Sequence, residues 1–280
     1  MKIAVDLAPV EETLLIPLWA KAEEARRSDA VLRDPRAEAI RERLDWDFER
    51  LADARASQLG CCVRGRLMDA WVCQHLAVHP GCTVVDLGCG LDGRFERADD
   101  GRARWFELDL PAVIALRHRF FHENARRHMI ASSVLDEDWM DRIAEAAAGG
   151  PVLFVTEGML PYLSADDVRR LFSRLATRFP GAQVMFDVMS PLVLRHQDKH
   201  DAMRHFEARF TWGLADPADL ESWGVPIEIE ESARFHDLLA RHPRRLPRRL
   251  RWFGRIAGAL YPPLKRAYTI HRARLGASVG

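Results

Sequence analysis

From residue 83 onward, short apolar runs alternate with amphipathic stretches. The runs at 83–88 (TVVDLG), 104–109 (RWFELD), 128–131 (HMIA), 151–156 (PVLFVT) and 183–189 (QVMFDVM) have the length and the β-branched or aromatic content of buried strands. Between them, 111–121, 138–148 and 165–178 repeat apolar positions at helical spacing. Such alternation predicts an α/β fold, a parallel sheet with helices on both faces. Upstream, 11–28 reads as an amphipathic helix with acids in its first turn, and Asp34-Pro35 marks a break. A helix over 62–78 ends at His79-Pro80-Gly81, the turn into the first core strand.

Beyond Asp187 the pattern loosens. Residues 191–216 mix charges with His196, His200, Met203, His205, Phe206 and Trp212, and read as a helix and loop over the sheet edge where ligands bind. A strand is expected at 225–231 and a last one near 268–274, which a mixed sheet allows to run antiparallel. The organisation that follows is an N-terminal helical cap (1–80), a core (81–190), a lid insertion (191–237) and a basic segment (238–280) completing the core.

Candidate chemistry concentrates at the tips of the first two core strands. Gly88-Cys89-Gly90-Leu91-Asp92-Gly93 matches G-x-G-x-x-G, a weak signal for a dinucleotide when taken alone. Three details move the reading away from NAD. Asp86 precedes the first glycine by two residues, where an acid orients the loop or meets the amino end of S-adenosylmethionine. The following helix is broken within about two turns by Asp99-Asp100-Gly101, shorter than a pyrophosphate site usually has. No second phosphate-binding feature accompanies the glycines. Asp109 ends the next strand about twenty residues on, where a carboxylate accepts both hydroxyls of a ribose; this marks adenosine without separating the two cofactors. Asp109-Leu110-Pro111 is also a helix start with Pro in its first turn, and both roles are compatible.

DLGCGLDGRF, WFELDLPAVIALR and VTEGMLPYLS, in this order and spacing, resemble the leucine carboxyl methyltransferase superfamily, and within it the tetracenomycin-type polyketide O-methyltransferases. The likeness extends to VDLAPVEETLLIPLWAKAEEARRSDAVLRDPRAE, to RGRLMDAWVCQHLAVHPGCTVVDLG and to Trp212-Gly213-Leu214; it is weak beyond about residue 216. The resemblance implies a class I, Rossmann-like methyltransferase fold with a mostly parallel seven-stranded sheet, and S-adenosylmethionine as cofactor. It implies that Gly88 and Gly90 admit the methionyl part and that Asp109, followed by Leu110, holds the ribose. Ser133 and Val134 then meet adenine, Glu157 takes a cofactor position, and Arg64, with Lys21 as a second base, pairs with the cofactor carboxylate. Gly93 departs from the relatives, which often carry Thr there; a side-chain contact near the loop should be lost without destroying the loop.

The acceptor decides whether a base is needed. A carboxylate of pKa about 4 is ionised at neutral pH, whereas a phenol near 10 gains from a base. No Asp-His or Lys-His pair stands out, so a carboxylate acceptor is preferred over a phenol or hydroxyl; His196, His200 and His205 remain candidate bases in the lid. Met159, Leu160, Met189, Phe206 and Trp212 are candidates to line a pocket for a small, mostly apolar molecule, with Tyr162, whose body is mostly packing surface, beside them. A non-catalytic cofactor-binding module and an NAD-dependent oxidoreductase are the alternatives.

Composition changes this picture in two places. Five cysteines without C-x-x-C spacing, and histidines not at ligand spacing from them, fit free thiols, a cytoplasmic chain and no metal site. No secretory signal and no apolar run of about 18 residues is present, so no transmembrane helix is expected. Net charge is zero, yet 238–280 holds eleven bases and no acid. Packing on the chain's own acidic body is the simplest reading of that tail; docking of an acidic partner, such as a carrier protein delivering the acceptor, or of an anionic membrane is the sharper one. No nucleic-acid motif accompanies the charge. Oligomeric state stays open.

Overall fold

The computed structural model describes residues 2–216, 219–246 and 266–276. Seven strands form one sheet: β1 Thr83–Leu87, β2 Arg104–Asp109, β3 Arg127–Ala131, β4 Val152–Thr156, β5 Gln183–Met189, β6 Ile227–Arg234 and β7 Tyr268–Leu275. Their order is β3-β2-β1-β4-β5-β7-β6, parallel except for β7, which runs antiparallel to both neighbours. The described helices of five or more residues are α1 Leu15–Ala25, α2 Pro35–Arg43, α3 Arg55–Val78, α4 Arg94–Ala98, α5 Pro111–Arg117, α6 Asp138–Ala147, α7 Ala165–Arg178, α8 Pro191–Arg195 and α9 Phe235–Ala240.

The central strand β1 is buried along its whole length, as a parallel strand covered on both faces must be. Its side chains alternate between two cores. Val85 and Leu87 join Phe154 and Phe186 under Trp139 and Ile143 of α6 and Phe172 and Leu175 of α7. Val84 faces Met68, Trp71, Val72 and Leu76 of α3, with Trp105, Leu153 and Met185. So α3 covers the sheet, although it precedes the first core strand. A third cluster joins the cap (Leu15, Leu18, Trp19, Ile40, Phe48) to Cys89 and Leu91 of the glycine turn and to Met203, Phe206 and Phe210 of the lid.

Three elements differ from the sequence expectation. The first amphipathic stretch breaks at Thr13, because Pro17 has no N–H for the Thr13 carbonyl; Ile16 N–H takes it instead at 3.0 Å. Helix α3 starts at Arg55 rather than 62, its first turn capped by Asp201, which accepts Ala56 N–H at 2.9 Å and Ser57 N–H at 3.3 Å. A cap supplied from so distant a segment leaves no local trace. Helix α5 ends at Arg117, and Phe120 and Phe121 turn into the cap cluster. Over 191–216 the lid is one short helix, α8, followed by two 3-10 turns and an extended run, whereas 227–234, placed in the lid insertion by the sequence, is β6, the edge strand of the main sheet.

The basic tail packs partly on its own body. Arg245 pairs with Glu24, Arg266 with Asp216 at 3.4 Å, Arg272 with Glu231 at 2.9 Å and Arg274 with Glu230 at 2.6 Å. Arg248, Arg249, Arg251, Arg255 and Lys265 lie outside the described residues. Among the described residues no helix is long and apolar enough to cross a membrane.

Candidate active site

A cavity of about 710 Å³ opens at the carboxyl ends of β1, β2 and β4, where the strand order reverses and α/β folds bind their ligands. The glycine turn forms its floor. Gly88 and Gly90 both hold left-handed backbone, φ +72° and +51°, and a Cβ on Gly88 would lie 2.9 Å from Met159 Cγ. The turn is braced from below by Arg117. Its guanidinium donates to the carbonyls of Gly90 and Asp92, each at 2.9 Å, and is anchored by buried Glu107.

Asp109 closes the turn. Its Oδ2 accepts Gly90 N–H at 2.7 Å and its Oδ1 accepts Leu110 N–H at 2.8 Å, so both oxygens are fixed and each keeps a lone pair for a diol. Burial raises its pKa above the ordinary value, against the two backbone donors. Leu110, Ser133 and Val134 line the cavity beside it.

At the other side of the turn lies a buried ion network. Glu157 accepts Arg64 Nε at 3.1 Å and Arg94 Nη2, and sits 3.8 Å from Lys21 Nζ. Asp92 holds Lys21 at 2.9 Å, Arg94 at 3.3 Å and Arg97 at 2.8 Å. Asp187 accepts Gly158 N–H at 2.7 Å, Arg64 Nη1 at 3.1 Å and the Tyr268 hydroxyl. Burial opposes the charge on Glu157, but Lys21, Arg64 and Arg94 outweigh it and bring its pKa to about 2. Asp86 lies 3.6 Å from Arg94 Nη1, and burial, outweighing Arg94 and Arg117, pushes its pKa up to about 7.

These residues fit the methionyl end of S-adenosylmethionine. Arg94 Nη1 is buried without a hydrogen-bond partner among the described residues. No hydrogen bond among the described residues engages Arg64 Nη2, and a Cβ on Gly88 would run into Met159. Cationic donors, carboxylates and a close-approach backbone suit a group that carries both a carboxylate and an ammonium. Lys21, Arg64, Asp86, Gly88, Gly90, Asp109, Leu110, Ser133, Val134 and Glu157 thus share one cavity.

Leu14, Met159, Tyr162, Met189, Val193, Met203 and Phe210 give the cavity its apolar lining. Of the residues expected there, Leu160 and Trp212 belong instead to the core beneath the sheet, and Phe206 stacks on Trp46 at 5.7 Å in the cap cluster. All three are large apolar groups for which the nearest core competes. Among the histidines, only His200 lines the cavity. His196 is exposed and bonds the Leu192 carbonyl through Nδ1, and His205 turns toward Asp53 at the surface.

Sequence reasoning missed Arg94, Arg97, Asp69, Asp187 and Tyr268. Asp187 carried a signal, an acid inside the apolar run VMFDVM. Tyr268 did not: it reaches the site only because β7 pairs with β5 in the register Met189 to Tyr268. At Gly93 the place of a side chain is taken by Asp34, whose Oδ1 lies 3.2 Å from where a Cβ would stand and whose Oδ2 holds Arg97 at 2.5 Å.

Comparison with known proteins agrees with this geometry. The family profile described as Leucine carboxyl methyltransferase matches residues 15–176. The chain is 38% identical over 228 residues to the tetracenomycin polyketide synthesis O-methyltransferase TcmP of Streptomyces glaucescens, covering 81% of this chain and 83% of that protein. It is 29% identical over 247 residues to the S-adenosyl-L-methionine-dependent methyltransferase dpfgK of Gibberella zeae, at the same coverage of 81% and 83%. The fold is shared with a DUF574 family protein from Streptomyces avermitilis, at 15% identity and a TM-score of 0.55, covering 92% of this chain and 96% of that one. The nicotinamide alternative falls with these matches. The chain belongs to the leucine carboxyl methyltransferase family, and with it to the S-adenosylmethionine-dependent O-methyltransferases.

Proposed function

We propose that this protein methylates an oxygen of a small, mostly apolar acceptor of the polyketide type, a carboxylate in preference to a phenol or hydroxyl. The observation that carries the reading is the continuity of the cavity, from the ribose-holding Asp109 past Glu157 into the apolar end at Met159, Tyr162, Met203 and Phe210. S-adenosylmethionine supplies an electrophilic methyl group; the new O–CH3 bond replaces the S–CH3 bond, whose electron pair stays on sulfur. The chain's part is positioning and exclusion of water, which such an in-line displacement chiefly needs. Arg64, Lys21 and Glu157 fix one end and the Asp109 carboxylate the other, while the apolar walls keep the acceptor dry. A carboxylate releases no proton on methylation. Tyr162, the phenol at this end, is pushed by burial to a pKa of about 12, so it holds its own proton and makes a poor base. The polyketide class is supported by the name of the Streptomyces relative.

The test is transfer of labelled methyl to 2-naphthoate and to 2-naphthol, which share one ring system. Ester from the acid should dominate. Ether from the naphthol alone would contradict the carboxylate preference, and bound cofactor without turnover of any acid or phenol would favour a binding module. An acidic carrier protein as the vehicle for the acceptor is a subsidiary proposal. It rests on exposed Arg244 and on bases outside the described residues, and reversing those charges should slow carrier-bound substrate only.

A further inference from the structure

His200 is the lid's one imidazole at the cavity among the described residues, and its hydrogen bonds fix which nitrogen carries the proton. Nδ1 accepts Met203 N–H at 3.2 Å and Ala202 N–H at 3.4 Å. A nitrogen facing two donors carries no hydrogen of its own. The ring stands edge-on to Phe210, centroids 6.0 Å apart, which holds its orientation. Burial lowers the imidazole pKa, against a smaller pull from Asp201, which favours the neutral ring. Two charged groups face it. Asp201 Oδ1 lies 3.8 Å from Nδ1, but that carboxylate is committed to the N-terminus of α3. Lys199, its chain neighbour, lines the same cavity. A neutral ring with its lone pair at Nδ1 carries its hydrogen on Nε2, and the hydrogen bonds His200 makes among the described residues are those at Nδ1.

We infer that His200 is a specificity-determining residue that presents Nε2–H to an acceptor oxygen, and is not a general base. The inference rests on the carboxylate reading above and deepens it. One carboxylate oxygen takes the methyl group while the other accepts Nε2–H. A phenol has no second oxygen to offer, and its proton finds no lone pair on Nε2. Serving as a base would require the other tautomer, whose Nδ1–H would collide with the two backbone donors. That loses two hydrogen bonds before chemistry begins.

The test needs no turnover for its first arm. Two-bond 1H–15N spectra of the imidazoles are recorded on protein saturated with S-adenosylhomocysteine, with His200→Gln assigning the signal. The expected result is a neutral ring protonated at Nε2 at pH about 7.5, with an Nε2 resonance that moves when 2-naphthoate is added. A ring protonated at Nδ1, a cationic ring, or an Nε2 signal indifferent to 2-naphthoate overturns the inference. In the second arm, His200→Leu should raise KM for 2-naphthoate about tenfold with kcat little changed, and His200→Gln, which keeps an N–H donor, should recover most of that loss. Collapse of kcat in both variants, with disappearance of the acid limb of the pH profile, would mark a base and sink the idea. Methylation of 2-naphthol alone with Nε2–H intact defeats the carboxylate reading and the acceptor assigned here. A wrong tautomer with 2-naphthoate still methylated defeats only the role of His200.

Discussion

Arg117 Nη2 lies 2.5 Å from Glu107 Oε1, and both side chains are buried beneath the glycine turn. The same guanidinium holds the carbonyls of Gly90 and Asp92. The pair therefore sets the turn's shape without touching the cavity. Arg117→Met should cost about 3 kcal/mol of stability, as loss of one partner of a buried pair does. Arg127, 2.8 Å from the same carboxylate oxygen, keeps Glu107 from being stranded. Cofactor affinity should also fall, by about tenfold, because a loosened turn must be ordered on binding. Urea melts and calorimetry on one preparation check both; unchanged affinity would separate the brace from the site.

Gly88→Ala tests the cradle. The left-handed backbone costs about 1 kcal/mol for any residue with a Cβ. The new methyl group meets Met159, whose side chain lines both the turn and the acceptor end. Stability should drop by about 2 kcal/mol in all, and cofactor binding should weaken beyond detection by calorimetry. A variant that binds normally would place the cofactor elsewhere.

Asp86 gives the protein a distinctive pH dependence. Burial raises its folded pKa to about 7 from an ordinary 3.8. In that window the folded state binds the proton and the unfolded state has lost it, so this group's contribution to stability falls as pH rises from about 4 to about 7 and is level beyond. Asp86→Asn cannot titrate. Relative to the variant, wild type should therefore lose stability across that interval in urea melts. A difference independent of pH would show that Arg94 holds Asp86 ionised throughout.

Arg245 is one of the points at which the basic tail is fastened. It pairs with Glu24, which is fully buried on α1, one turn beyond Lys21. Gln58 Nε2 at 2.8 Å and Val31 N–H at 2.6 Å also serve that carboxylate. Arg245→Ala should thus cost about 2 kcal/mol, less than a wholly orphaned charge. Glu24→Gln in the same chain should recover part of it, since an amide is cheaper to leave than an anion. Additive losses in the double variant, measured by thermal melting, would mean that the pair does not couple.

The strand and helix alternation was legible because both β and α periods are written into the apolar positions: α7 and β5 stand at the expected residues. The antiparallel last strand was also in reach. The placement of Asp109 and the glycines was legible because it is local, an acid at a strand tip and a turn with left-handed backbone. What the pattern hid is the ion network. Asp92 with Arg94, Asp187 and Tyr268 come from three separate segments, and charged residues read as surface unless the fold brings partners to them. Acids within apolar runs, Glu107 in WFELD and Asp187 in VMFDVM, were the available warnings. Phe206 and Trp212 misled for the opposite reason, since an aromatic beside a site satisfies core and pocket alike.

The most direct measurement is calorimetric titration of wild type and Asp109→Ala with S-adenosylmethionine and S-adenosylhomocysteine. Asp109, fixed between Gly90 and Leu110, is the residue on which the proposed orientation of the cofactor rests. Wild type should bind both ligands at one site per chain, and the variant should bind each at least about thirtyfold more weakly, the loss of two charge-assisted hydrogen bonds. Equal affinity in the two proteins would contradict the placement of the ribose at Asp109, and with it the direction in which the cavity runs toward the acceptor.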